Sequence, residues 1–181
     1  MKGLVLLANG FEDTEALATI DVLKRSDLKI TTATVNEDLL VTSAYGLKVY
    51  ADMQYANIKS EDFDFLIIPG GEAIVNVWDK KASLSDLIKD FVSEKKLIAA
   101  ICAGPSVVGK LGFFKDLEYT VFPGFEKGIE GKLSQEGVVV TDKFITAKAM
   151  YYSIDFALAI VEKLLGKAKR NQVFESIKGN E

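Results

Sequence analysis

Short apolar runs alternate along this chain with longer stretches in which apolar residues return every three or four positions. Residues 3–8, Phe65–Ile68 and Leu97–Ile101 are nearly unbroken apolar runs bounded by turn residues, the pattern of strands covered on both faces. Residues 29–35 are rich in Thr, Ile and Val and read as another strand. Residues 39–52 alternate around Gly46, as in a hairpin. Shorter strands are expected at 119–122, 138–141 and 144–146. Helical spacing gathers Ala16, Leu17, Ile20 and Leu23 on one face of residues 15–26. It does the same for Leu84, Leu87, Ile88, Phe91 and Val92, with Ser83 or nearby polar residues available as a cap. A last helix over Ser153–Leu165 should stop at Gly166. The lysine-rich tail beyond Gly166 is expected to be a solvated or loosely docked end.

Strands alternating with helices predict an α/β protein with a doubly wound, mostly parallel sheet. At 181 residues, with no repeat or linker, one domain over 1–181 is the simplest expectation. Ligands of such sheets bind beyond the carboxyl ends of the strands. Three turns fall there: Ala8-Asn9-Gly10-Phe11-Glu12, Ile68-Pro69-Gly70-Gly71-Glu72 and Ile101-Cys102-Ala103-Gly104-Pro105.

The third turn carries the single cysteine of the chain on a strand-to-helix elbow. Pro105 suits a first helical position, because its missing N–H would be unpaired there anyway. The helix N-terminus that follows favours thiolate over thiol, so Cys102 is a candidate nucleophile. The plainer alternative is a small buried hydrophobe with an inert thiol. Gly70 and Gly71 are either a flexible turn or a source of backbone N–H groups for an oxyanion. Glu15, near the start of the first helix, is either a dipole-compensating acid, as Glu12 and Asp13 could be, or a proton carrier facing Cys102.

Composition narrows these options. The chain has no histidine, so neither a Ser-His-Asp nor a Cys-His pair can form within it. A Cys/His zinc site is equally out of reach, and no metal is expected. Base chemistry near neutral pH falls to a carboxylate, lysine, tyrosine or water. A net charge of −4 gives no electrostatic case for nucleic acid or an anionic membrane as partner. One cysteine excludes an internal disulfide, and the short N-terminal apolar run is followed by Glu12, Asp13 and Glu15 where a signal cleavage region would lie. A cytoplasmic location is the expectation.

Taken together, Gly10-Phe11-Glu12-Asp13-Thr14-Glu15, Asp21-Val22-Leu23, Ile67-Ile68-Pro69-Gly70-Gly71, Ala99-Ala100-Ile101-Cys102-Ala103-Gly104-Pro105, Phe122-Pro123-Gly124-Phe125-Glu126 and Asp155-Phe156-Ala157-Leu158-Ala159-Ile160-Val161-Glu162 resemble the ThiJ/PfpI superfamily. The resemblance spans nearly the whole chain and points to the branch that holds the Parkinson-disease-associated protein deglycase and its bacterial relatives. It implies a flavodoxin-like three-layer sandwich with a nucleophile elbow, commonly a homodimer. It gives Cys102 the role of oxidisable, reactive thiol and Glu15 that of its acid partner, with the N–H groups of Gly71 and Ala103 as an anion-binding pair. The implied activities are handling of reactive carbonyls, as a glutathione-independent glyoxalase or deglycase, without a cofactor. The alternatives are non-enzymatic sensing of an oxidant and a chaperone-like dimer.

Two departures from the family pattern matter. Phe122-Pro123 stands where many relatives have histidine before proline, which disfavours a peptidase. Ala147-Lys148-Ala149-Met150-Tyr151 stands where relatives commonly carry Ser-Arg-Gly-Pro-Gly. Gly70, Phe122 and Lys148 are accordingly expected to shape the pocket, with Lys148 as the surviving cation.

Overall fold

A computed structural model describes residues 1–180. Its centre is a seven-stranded sheet built from β1 (Lys2–Leu7), β2 (Lys29–Thr34), β5 (Met53–Gln54), β6 (Phe65–Ile68), β7 (Leu97–Ile101), β10 (Val138–Val140) and β11 (Phe144–Ala147). The strand order is β10-β11-β7-β6-β1-β2-β5, and only the β10–β11 pair is antiparallel. A hairpin of β3 (Leu40–Thr42) and β4 (Lys48–Tyr50) stands outside it, as does the small β8 (Glu118–Tyr119) and β9 (Lys132–Leu133) pair.

The chain steps outward from β1 to β2, then returns to the other side of β1 and proceeds through β6 to β7. Right-handed crossovers in opposite directions place their helices on opposite faces of the sheet. Helix α1 (Asp13–Arg25) packs with α5 (Ser153–Leu165) and α6 (Lys167–Ile177) on one face. Helices α2 (Glu72–Asn76), α3 (Ala82–Ser93) and α4 (Pro105–Gly109) follow β6 and β7 on the other. Every residue of β6 and β7 is buried, as expected of central parallel strands under two helical layers. The arrangement is the three-layer α/β sandwich expected from the alternating pattern. The direction of winding reverses between β1 and β6, which makes their carboxyl ends the crevice of the fold.

The differences from the sequence reading have local causes. The tail past Gly166 is the helix α6, not a loose end: Val173 is buried and the helix packs on α5 and α1. Its few apolar residues give a weak helical pattern, and tertiary contact supplies the rest. Ser83 does not cap α3; Lys81 occupies that position, and the Ser83 carbonyl accepts from the Tyr55 hydroxyl at 2.8 Å. The strand expected at 119–122 is only Glu118–Tyr119. Beyond it the chain turns toward Cys102, where the Phe122 N–H donates to the Cys102 carbonyl at 2.8 Å.

Candidate active site at the strand ends

Cys102 has φ +61°, a left-handed backbone conformation that residues with a side chain rarely adopt. The surrounding chain holds it there. The Cys102 N–H donates to the Ala147 carbonyl at 2.9 Å, and the Gly104 N–H donates to the Ile101 carbonyl at 2.9 Å. With the Phe122 bond, these contacts tie the elbow to the ends of β7 and β11. Strain enforced in this way is common where a side chain must be presented to a ligand.

The acidic residues at the start of α1 divide their roles. Glu12 is the N-cap, and its side chain accepts from the Glu15 N–H at 2.7 Å. Asp13 accepts from the Ser43 hydroxyl at 2.6 Å and so ties α1 to the β3–β4 hairpin. Glu15 is fully buried and does neither. One of its carboxyl oxygens accepts from the Gly70 N–H at 2.8 Å, while the other has no hydrogen-bond partner among the described residues.

Gly70 is what lets this carboxyl and the thiol share one space. A β-carbon there would lie 2.6 Å from both Glu15 Oε2 and Cys102 Cβ, and 3.1 Å from Cys102 Sγ. Gly71 has φ +91°, and a β-carbon on it would lie 2.4 Å from the Gly10 carbonyl oxygen and 2.5 Å from the Glu12 nitrogen. No side chain fits without moving the backbone that carries Glu12 and Glu15. The Pro-Gly-Gly turn is therefore packed, not flexible.

Burial moves both ionisable groups away from charge. It lifts the Glu15 carboxyl from 4.5 to about 7, against hydrogen bonds from the Gly70 N–H and Cys102 that favour the ion. Burial, together with the Glu15 carboxylate, pushes the Cys102 thiol up to about 12. The backbone N–H groups of Ala103 and Gly71 pull the other way, by hydrogen-bonding the thiolate. This corrects the expectation of an activated thiolate from the helix terminus. Helix α4 has only five residues, and a carboxylate beside the sulfur outweighs its dipole. The two groups act as a unit. Once Glu15 takes a proton it no longer repels the thiolate and can donate a hydrogen bond to it instead.

Cys102 opens onto a pocket of about 460 Å³ lined by Gly71, Glu72, Val75, Asn76, Ala103, Phe122 and Phe125. Gly71, Ala103 and Phe122 thus line it, and Gly70 sits behind it against the thiol and Glu15. Lys148 does not line it. Its backbone N–H donates to the Gly137 carbonyl at 2.9 Å and its ammonium donates to the Gln135 carbonyl. The expected pocket cation is spent on the neighbouring loop. Val75 and Asn76 were missed because α2 is too short to show a helical period; Phe125 belongs to the Phe122–Glu126 motif of the resemblance, but its spacing alone does not tie it to Cys102. Among the described residues no cluster of three His, Cys, Asp or Glu side chains is placed to hold a metal ion. No described helix is long and apolar enough to cross a membrane.

With this geometry in place, the comparisons are specific. The DJ-1/PfpI family model matches residues 1–163. The chain belongs to the DJ-1/PfpI family. It is 32% identical over 179 residues to protein dj-1beta of Drosophila melanogaster, covering 97% of this chain and 96% of that protein. It is 32% identical over 168 residues to the glutathione-independent glyoxalase DJR-1.2 of Caenorhabditis elegans, covering 92% of this chain and 89% of that one. The crystal structure of Drosophila melanogaster DJ-1beta superposes with a TM-score of 0.91 at 30% identity, over 98% of this chain and 97% of that chain. The DJ-1/PfpI model match stops inside α5, while the dj-1beta alignment and superposition extend over nearly the whole chain.

Proposed function

We propose that this DJ-1/PfpI protein converts reactive 2-oxoaldehydes to 2-hydroxy acids without glutathione, with Cys102 as nucleophile and Glu15 as proton carrier. The observation that carries this reading is the buried Glu15 carboxyl, with its raised pKa, packed against the Cys102 thiol at the mouth of a pocket. Near neutral pH the ionised carboxylate is available as a base, and the Cys102 S–H proton is the one it can take.

Sγ attacks the aldehyde carbon as its proton passes to Glu15. The carbonyl π electrons move onto oxygen, and the Gly71 and Ala103 N–H groups stabilise the oxyanion. Glu15 returns the proton to that oxygen, giving a hemithioacetal. The carboxylate then removes the C1 hydrogen and delivers a proton to C2 through an enediol, so C1 is oxidised as C2 is reduced. Water attacks the resulting thioester, the C–S bond breaks, and a hydroxy acid leaves with the thiol restored. No external oxidant, reductant or cofactor is needed for this balance. The DJR-1.2 relative, described as a glutathione-independent glyoxalase, supports the assignment.

The test is conversion of methylglyoxal to lactate in glutathione-free buffer by the wild type, Cys102→Ser and Glu15→Gln. Turnover lost in both variants supports the mechanism; wild-type turnover no higher than that of Cys102→Ser overturns it. Oxidant sensing is the second reading, favoured by the two N–H donors that can hold an anionic sulfur oxide at an accessible thiol. It calls for Cys102 to gain two oxygen atoms under mild peroxide, read by mass spectrometry. A homodimer is part of the proposal: Leu17 on α1 and the hairpin residues Tyr45, Leu47 and Tyr50 are exposed apolar side chains, and the Asp13–Ser43 hydrogen bond joins α1 to that hairpin.

A further inference from the structure

The pocket wall carries more apolar surface than methylglyoxal can use. Val75 is 46% exposed and Phe122 42% exposed, and half-buried Phe125 stands beside them. Isolated exposed hydrophobic residues are ordinary, but these line the same pocket as Cys102.

The wall is also fixed in place. Phe122 is bonded through its N–H to the Cys102 carbonyl at 2.8 Å, and the Phe125 N–H donates to the Phe122 carbonyl at 3.1 Å. Glu126 holds the intervening turn by accepting from the Gly124 N–H at 2.7 Å. The Phe122 and Phe125 rings meet nearly edge to face, with centroids 6.3 Å apart and planes at 70°. That geometry can extend to a third aromatic ring. Glu72 is the only charged residue among those lining the pocket, and its carboxylate disfavours an anionic group there. A volume of about 460 Å³ leaves room beside the carbonyl carbons for a ring-sized group.

We propose that Val75, Phe122 and Phe125 form a specificity site for a neutral aryl substituent on the 2-oxoaldehyde. This rests on the carbonyl reading above and names the substrate class within it. The reaction is unchanged: phenylglyoxal and water give mandelate and a proton, with C1 oxidised, C2 reduced and the thiol regenerated. The phenyl ring lies on the Phe122–Phe125 wall while Sγ attacks the terminal aldehyde.

The experiment compares kcat/KM for phenylglyoxal and methylglyoxal, with the Cys102→Ser background subtracted. In parallel, mandelate and lactate are compared as protectants of Cys102 against iodoacetamide. The wild type should prefer phenylglyoxal by at least about tenfold, the lower end of what a small apolar contact provides. Phe122→Ala and Phe125→Ala should each reduce the preference, Phe122→Leu should retain part of it, and Val75→Ser tests the wall from the exposed side of α2 with little risk to folding. Equal kcat/KM values, or a preference unmoved by these variants, would overturn the site and leave the carbonyl reading intact. Absence of turnover with better protection by mandelate would overturn the carbonyl reading and keep the aryl site. Absence of turnover with equal protection overturns both. If the alanine variants abolish self-association in size-exclusion chromatography without moving the preference, the wall is an interface and the proposal fails.

Discussion

The turns after β6 and β11 lie on either side of the Cys102 strand, and they contribute in opposite ways. After β6, Gly70 and Gly71 bring backbone N–H groups to Glu15 and to the sulfur. Their missing side chains are what allow the approach. After β11, the Ala147 carbonyl pins the elbow, but the nearby Lys148 side chain reaches Gln135 and not the pocket. A backbone donor at the end of a buried strand is fixed by the sheet. A long side chain in the corresponding turn is free to find another partner, so its place in the sequence says little about where its charge will be.

The largest break in that comparison comes from removing the acid that the β6 turn supports. Glu15→Gln should cut turnover by about 10²–10⁴-fold, the ordinary contribution of a positioned acid–base group. The same variant should change the pH dependence of stability. Because the folded-state pKa of Glu15 is raised from 4.5 to about 7, the folded chain binds its proton more tightly than the unfolded chain does. Its contribution is present below pH 4.5 and is lost as pH rises through 7. Denaturant unfolding of wild type against Glu15→Gln should therefore diverge across that window, by on the order of 3 kcal/mol in favour of the variant. Curves that stay parallel would show that Glu15 is not buried as a neutral acid.

Gly71→Ala should come next, with turnover falling about 10²–10³-fold as an oxyanion donor is displaced. The clash is with backbone, so the fold should also lose about 1–3 kcal/mol, measurable by chemical denaturation. A more graded probe is pH. If ionised Glu15 is the base, kcat/KM should drop about tenfold for each pH step below 7, while Glu15-dependent stability rises over the same range. A flat profile would remove Glu15 from the rate-limiting proton transfer. The smallest effect belongs to the β11 turn: Lys148→Ala should leave kcat/KM within about twofold, as for a surface substitution away from the chemistry. A loss as large as that of Gly71→Ala would place the lysine in the reaction after all.

The amino-acid pattern by itself determined the alternating architecture, the Cys102 elbow and the importance of the Pro-Gly-Gly turn. These depend on local signals: unbroken apolar runs, small residues where the chain must bend, and a proline that starts a helix. It also determined that histidine has no part in the chemistry of this chain. Spacing left Glu12, Asp13 and Glu15 equivalent and only the resemblance singled out Glu15; the tertiary structure is what brings it to the thiol. All three lie within one helical turn, and only the approach of the β6 and β7 turns distinguishes a capping acid from a buried one. Tertiary structure likewise decided that burial and the Glu15 carboxylate push the Cys102 thiol up, that Lys148 turns away, and that Val75 and Phe125 reach the pocket. Charge, burial and long side-chain contacts depend on residues far apart in the chain, so their balance exists only once the sheet has brought those residues together.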